Sequence, residues 1–186
     1  MKKMIFLTGA AVAAAGMPAA ANAQDTASAQ PFIGISAGYH DLGVDDDVTI
    51  ALEGFEINDS SPIVGVVAGV DFPVGEGLFA GLEGNFHLGT DAVDSEYGAS
   101  LRLGFVAEGG AKYYLRGGYQ QVDLDLYKLV DPEPEAGSLD GIDDSDGDYL
   151  LGAGVEFPVG KTAIRINLDS VGLDTIRATT GVTFNF

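Results

Sequence analysis

Residues 63–89 read IVGVVAGVDFPVGEGLFAGLEGNFHLG, and their periodicity decides the fold class. Val64, Val66, Ala68, Val70 and Phe72 alternate with Gly65, Gly69 and Asp71; after Pro73-Val74-Gly75-Glu76-Gly77, the alternation resumes with Leu78, Ala80, Leu82 and Phe86 against Gly81 and Glu83. A period of two puts successive side chains on opposite faces of a strand. Proline and glycine end the ladder between the two runs. The stretch is therefore a hairpin whose strands have about the 9 to 11 residues needed to cross a hydrocarbon layer at a tilt.

The same alternation recurs on either side and predicts eight strands: Phe32 to Leu42, Ile63 to Phe72, Leu78 to Gly89, Glu96 to Ala107, Ala111 to Gln121, Asp148 to Phe157, Lys161 to Asp169 and Thr175 to Phe186. Tight turns at Glu108-Gly109-Gly110 and Pro158-Val159-Gly160 match the first one, and Gly69 to Gly75 is nearly repeated at Gly154 to Gly160. The alternate connections include two long acidic loops, Gly43 to Pro62 and Val122 to Gly147, and two short ones near Thr90 to Ser95 and Ser170 to Asp174. Short turns at one rim and long loops at the other describe an all-β, eight-stranded, antiparallel up-and-down transmembrane β-barrel.

Face by face, one side of every strand is aliphatic or aromatic, while the other carries Arg102, Arg116, Arg165 and Arg177 with Asp71, Glu83, Lys112, Glu156 and Asp169. No strand places a charge on the apolar side, where Arg or Lys would cost about 2 to 4 kcal/mol at the bilayer midplane. A soluble barrel carrying an apolar ligand also alternates, with its apolar face inward. Glycine favours the membrane reading, because Gly34, Gly65, Gly104, Gly118 and Gly154 share the polar face, as suits a lumen that eight strands leave only wide enough for side chains. Phe72, Phe105, Tyr113, Phe157 and Phe186 near one rim, and Tyr39, Phe86, Tyr97, Tyr119 and Tyr149 near the other, form two aromatic girdles.

The first 23 residues read as an export signal: Lys2 and Lys3, an apolar run from Met4 to Gly16, and Ala21-Asn22-Ala23 ahead of cleavage at Ala23/Gln24. Residues 24–186 are then one barrel domain of 163 residues carrying 7 basic and 28 acidic side chains, a net charge of −21. Such a chain does not attract nucleic acid. With no cysteine, thiolate zinc sites and cysteine nucleophiles are excluded, and no cofactor is expected.

At Gly181-Val182-Thr183-Phe184-Asn185-Phe186 the chain resembles the small eight-stranded outer-membrane barrels of the OmpA, OmpX and opacity-protein type. The resemblance spans roughly Pro31 to the end. It implies residence in the outer membrane of a Gram-negative cell, contact with outer-membrane lipid, and recognition of Val182, Phe184 and Phe186 by the barrel-assembly machinery. It carries no catalytic residues, and the peptidoglycan-binding domain of the larger family members is not expected.

On the polar face, Glu83, Arg102, Lys112, Arg116, Glu156, Arg165, Asp169 and Arg177 are expected to form a lumen ion-pair network, since buried ions need partners. The acidic loops suggest weak divalent-cation binding. Asp143 to Asp148 resembles a calcium loop, but aligning Gly147 with its turn glycine puts Ile142 at the first ligand position. His40, His87, Ser36 and Ser100 share the polar face, yet linear spacing gives neither histidine a nearby serine and an orienting acid. The expected function is that of a monomeric, non-enzymatic outer-membrane barrel displaying acidic loops, in surface interaction or envelope integrity. Alternatives are a narrow porin-like channel, a soluble periplasmic carrier and an outer-membrane lipid-modifying enzyme. Deleting Phe186, or replacing it with Asp, should lower the inserted fraction in isolated outer membranes far more than Thr179→Asp on the lumen face; equal insertion of all variants would remove the assembly-signal assignment.

Overall fold

The computed structural model describes residues 28–43, 56–57, 60–125, 128, 130–131 and 145–186. The expected signal segment, its cleavage bond and most of the two acidic loops lie outside these residues. Among the described residues ten strands are formed: β1 (Gln30–Asp41), β2 (Glu56–Ile57), β3 (Ser60–Gly75), β4 (Leu78–Gly89), β5 (Val93–Val106), β6 (Lys112–Leu124), β7 (Val130–Asp131), β8 (Ser145–Val159), β9 (Thr162–Val171) and β10 (Thr175–Asn185). Eight of them close into a barrel in the order β1-β10-β9-β8-β6-β5-β4-β3, with every neighbouring pair antiparallel.

Each predicted strand is present, and most run further than the alternation alone suggested. Pro73 and Pro158 lie within the last residues of β3 and β8 rather than beyond them. Proline is tolerated there because a strand end needs fewer ladder donors, and a register shift between Pro73 and Gly75 absorbs the irregularity. Gly77 and Gly160 take positive φ values of 69° and 65° in the tight turns, a conformation that glycine adopts without steric cost. At the other rim, β2 and β7 pair Glu56 with Asp131 and Ile57 with Val130, so a short ribbon ties the two long connections together. The sequence shows those connections only as acidic loops, because two-residue strands have no periodicity to detect.

The two faces separate as the sequence pattern requires. Leu115 is 69% exposed on the outside, whereas Arg102, one strand over and inward, is 1% exposed. The inward glycines make close packing possible, because their missing side chains leave floor space on which a neighbour's ring lies flat. The His87 ring covers Gly65, Phe32 covers Gly69, and the Tyr114 ring covers Gly154; a Cβ at any of these would collide with the ring. Gly117 faces outward, and a Cβ there would meet only ordinary contacts with Leu151. Gly154→Ala should therefore destabilise the barrel by about 1 to 3 kcal/mol through overpacking, while Gly117→Ala stays within about 0.5 kcal/mol; urea unfolding in lipid vesicles measures both.

Candidate functional site

The lumen is a continuous ladder of charge contacts running from the turn rim to the loop rim. At the turn rim, Lys112 Nζ donates to Asp71 Oδ2 at 2.8 Å and to Gln30 Oε1 at 3.1 Å. A cavity of about 200 Å³ opens beside them, lined in part by Phe79 and Leu78. Above it, Phe32, Phe79 and Tyr114 point inward. The Arg102 guanidinium sits 4.0 Å from the Tyr114 ring centroid and 4.9 Å from that of Phe32, and Arg165 lies 4.6 Å from Phe32. Such cation–π contacts strengthen where water is excluded.

Glu83 is the hub of the middle layer. Arg116 approaches it at 3.0 Å and Arg102 at 3.4 Å, and Arg165 donates to its Oε2. Arg165 also grips Glu156 Oε2 through both Nε (3.1 Å) and Nη2 (2.7 Å). Arg102 and Arg116 stand directly opposite each other on β5 and β6, a like-charge pairing that is unfavourable by itself. It persists because Glu83 lies between them and Asp169 Oδ1 takes Arg116 at 3.4 Å. Asp169 in turn pairs with Arg177 at 3.0 Å.

Nearer the loop rim, Glu96 collects three partners: Arg177 at 2.6 Å, His40 Nδ1 at 2.7 Å and His87 Nδ1 at 3.3 Å. Neutral bonds fill the walls: Asn85 and Gln120 exchange amide bonds, and Tyr114 donates to Asn167 Oδ1 at 2.6 Å. A small apolar layer of Ile63, Val93 and Val122, with Leu42 and Leu124 against it, closes the loop end.

All eight residues expected in the network are in the lumen and in contact with an opposite charge. Three features were missed. Glu96 shares the parity of Gly98, Ser100 and Arg102, so the alternation that placed Arg102 inside also places Glu96 there. Phe32, Phe79 and Tyr114 follow the same rule, although their residue type by itself points to the lipid side. The third is a correction: Ser36 Oγ lies 2.7 Å from His87 Nε2, and His87 faces Glu96. Linear spacing does not show this, because the contact crosses a whole strand: Ser36, Gly65 and His87 share one register row of β1, β3 and β4, and Gly65 has no side chain to stand between the other two. Val182 and Phe184 of the expected assembly signal face outward on β10, opposite Ile35 and Ile33 of β1, and Phe186 is exposed. Among the described residues no group of three or more His, Cys, Asp or Glu is arranged to hold a metal ion.

A solved structure of Ail, the attachment invasion locus protein of Yersinia pestis, superposes on this barrel with a TM-score of 0.51 at 12% identity, covering 85% of this chain and 97% of that one. The fold is that of a small eight-stranded outer-membrane barrel. The N-terminal β-barrel domain of Pseudomonas aeruginosa OprF is also similar, with a TM-score of 0.49, 13% identity and coverage of 85% and 97%. So is Neisserial surface protein A, with a TM-score of 0.47, 14% identity and coverage of 86% and 99%. No family model and no curated protein sequence matches the chain.

Because Glu83 serves three guanidinium groups, Glu83→Gln leaves buried positive charge uncompensated and should lower unfolding stability by about 3 to 5 kcal/mol. Lys112→Met at the partly open rim should cost clearly less. Equal losses in urea titrations of vesicle-embedded protein would show that Glu83 is not the hub.

Proposed function

We propose that the mature chain is a monomeric outer-membrane barrel that works at its surface, in interaction or envelope integrity, and neither conducts ions nor catalyses a reaction. The carrying observation is the filled lumen: Asp71, Glu83, Glu96, Glu156 and Asp169 meet Arg102, Arg116, Arg165, Arg177 and Lys112 at contact distances, beneath an apolar layer at the loop end. Side chains of this length fill an eight-stranded barrel, and each ion leaving its partner would face a desolvation cost of several kcal/mol. Placement in the outer membrane is supported by an apolar exterior free of charge between the two girdles, by the girdles themselves, by the asymmetry of turns and loops, and by the fold. Insertion through the Val182, Phe184 and Phe186 signal belongs to the same reading.

The Ser36, His87 and Glu96 arrangement argues less for an enzyme than its distances suggest. Ser36 is 7% exposed, and its strand neighbours Gly65 and Gly181 are engaged in the barrel ladder. An acyl-transfer site needs free N–H donors aimed at a developing oxyanion. Glu96, the orienting acid, is already shared with His40 and Arg177.

The five cations and five carboxylates of the lumen leave 23 acids and two lysines, Lys128 and Lys161, for the rest of the mature chain. An acidic outer surface suits basic partners and weak divalent cations. In planar bilayers, purified protein should give rare, small conductance steps, and Glu83→Ala with Asp169→Ala should destabilise it rather than shift ion preference. Frequent uniform openings, whose cation preference follows those two carboxylates at unchanged stability, would replace this reading with the narrow channel.

A further inference from the structure

Both histidines of the chain face Glu96, yet their hydrogen bonds ask for different numbers of protons. His40 Nδ1 lies 2.7 Å from Glu96 Oε2, and a carboxylate oxygen only accepts, so this nitrogen carries a hydrogen. The second ring nitrogen, Nε2, lies 3.2 Å from Thr175 Oγ1. Thr175 has a single hydroxyl hydrogen and donates it to the Val171 carbonyl at 2.9 Å, which leaves its oxygen as an acceptor towards His40. Both nitrogens of His40 are then donors, the pattern of an imidazolium. His87 is different. Its Nδ1 faces Glu96 Oε1 at 3.3 Å, while its Nε2 lies 2.7 Å from Ser36 Oγ, which among the described residues makes no other hydrogen bond and donates to it. One ring proton satisfies His87.

The charge on His40 is met from several strands. His40 is 0% exposed, with Arg177 opposite it on β10 and the uncharged Ser61 opposite it on β3. Glu96 of β5 lies against both His40 and Arg177, and Arg177 has Asp169 of β9 as its second partner. His87 of β4 adds no charge on the bonding above. At the rim, Asp41 follows His40 on β1, the Asp91 amide donates to Ser61 Oγ, and the carboxylates of Asp148 and Asp174 converge over Gly172. Asp148 takes an inward position on β8 opposite Gln120, so one further cation in the lumen meets one further carboxylate.

Thr175 closes a strained turn. It pairs with Val171 across Gly172-Leu173-Asp174, where Gly172 and Leu173 both have positive φ, 68° and 73°. A leucine keeps that conformation only where its surroundings hold it, and the Thr175 to Val171 bond is one such restraint. We propose that His40 is a proton-operated latch on this turn. With two ring protons it ties Glu96 to Thr175 and leaves the threonine hydroxyl to clasp Val171. Loss of the Nε2 proton to water makes that nitrogen an acceptor; the hydroxyl turns to it, and the clasp on Val171 opens. The turn between β9 and β10 is therefore held at lower pH and loosened as pH rises. With the loop rim outside the cell, as in the reading above, the latch responds to the external medium.

The test uses the full mature chain in lipid nanodiscs, with isotope-labelled histidine for ring-nitrogen spectra and with amide exchange at Gly172 and Asp174 corrected for its intrinsic pH dependence. At about pH 7, where an ordinary histidine is mostly neutral, His40 should show two protonated ring nitrogens and His87 one. Between about pH 7 and about pH 9, His40 should lose one proton and the protection of both turn amides should fall about tenfold. Thr175→Val, which keeps the shape without the hydroxyl, should abolish that pH dependence, and Ser36→Ala beside His87 should keep it. A single ring proton on His40 at about pH 7, turn protection that does not change with pH, or the same change in Thr175→Val overturns the latch. Should Thr175→Val fail to insert, as read from its heat-dependent gel shift, the ring spectra and exchange of the unsubstituted chain decide alone.

Discussion

A guanidinium enclosed by eight strands has no water to fall back on, and it must therefore find a carboxylate. Four arginines and a lysine face this requirement at once, and the rest of the barrel is arranged to meet it. Register matters for this reason. Glu156 stands opposite Arg165, and Asp169 opposite Arg177, so a slip of one residue in either hairpin would separate those partners and also turn apolar side chains into the lumen. The charges thus act together with the lipid face in choosing one pairing of strands.

Long side chains need room as well as partners. Glycine provides it on the inner face, where rings and carboxylates of one strand lie across the backbone of the next: Asp71 over Gly81, Asp169 over Gly152 and Tyr114 over Gly154. This accounts for the high glycine content of a chain whose turns use only a fraction of its 27 glycines. The aromatic layer adds a second kind of support. Arg102 has longer ionic contacts than Arg165, and its three neighbouring rings, Phe32, Phe79 and Tyr114, supply much of its surroundings.

Strand number, order and facing were legible from sequence because membrane strands obey two constraints at once, a period of two and the exclusion of charge from one face. The network was legible for the same reason: once the band between the two aromatic girdles is closed to charge on its outer side, every charge in that band must go in. Legibility ended where residues far apart in the chain meet across an intervening strand or between loops. Ser36 and His87 are separated by 51 positions, and nothing local in either segment signals the other. The Glu56 and Asp131 pairing lies in loops with no alternation at all. The inward aromatics fell between the two, since parity placed them inside while residue type suggested the lipid.

The equal numbers of positive and negative groups in the lumen also shape how copies of the protein would be distributed in a membrane. With the interior neutral, the net charge of −21 belongs to the rest of the chain, and most of those acids lie in the two long connections at one rim. Two such barrels approaching side by side carry like charge outside their lumens. Repulsion over roughly a Debye length, about 8 Å at physiological salt, would then hold neighbours apart. The barrel would carry its own lateral spacer, whose reach shortens as ionic strength rises, and crowding in the plane of the bilayer would become a property set by salt.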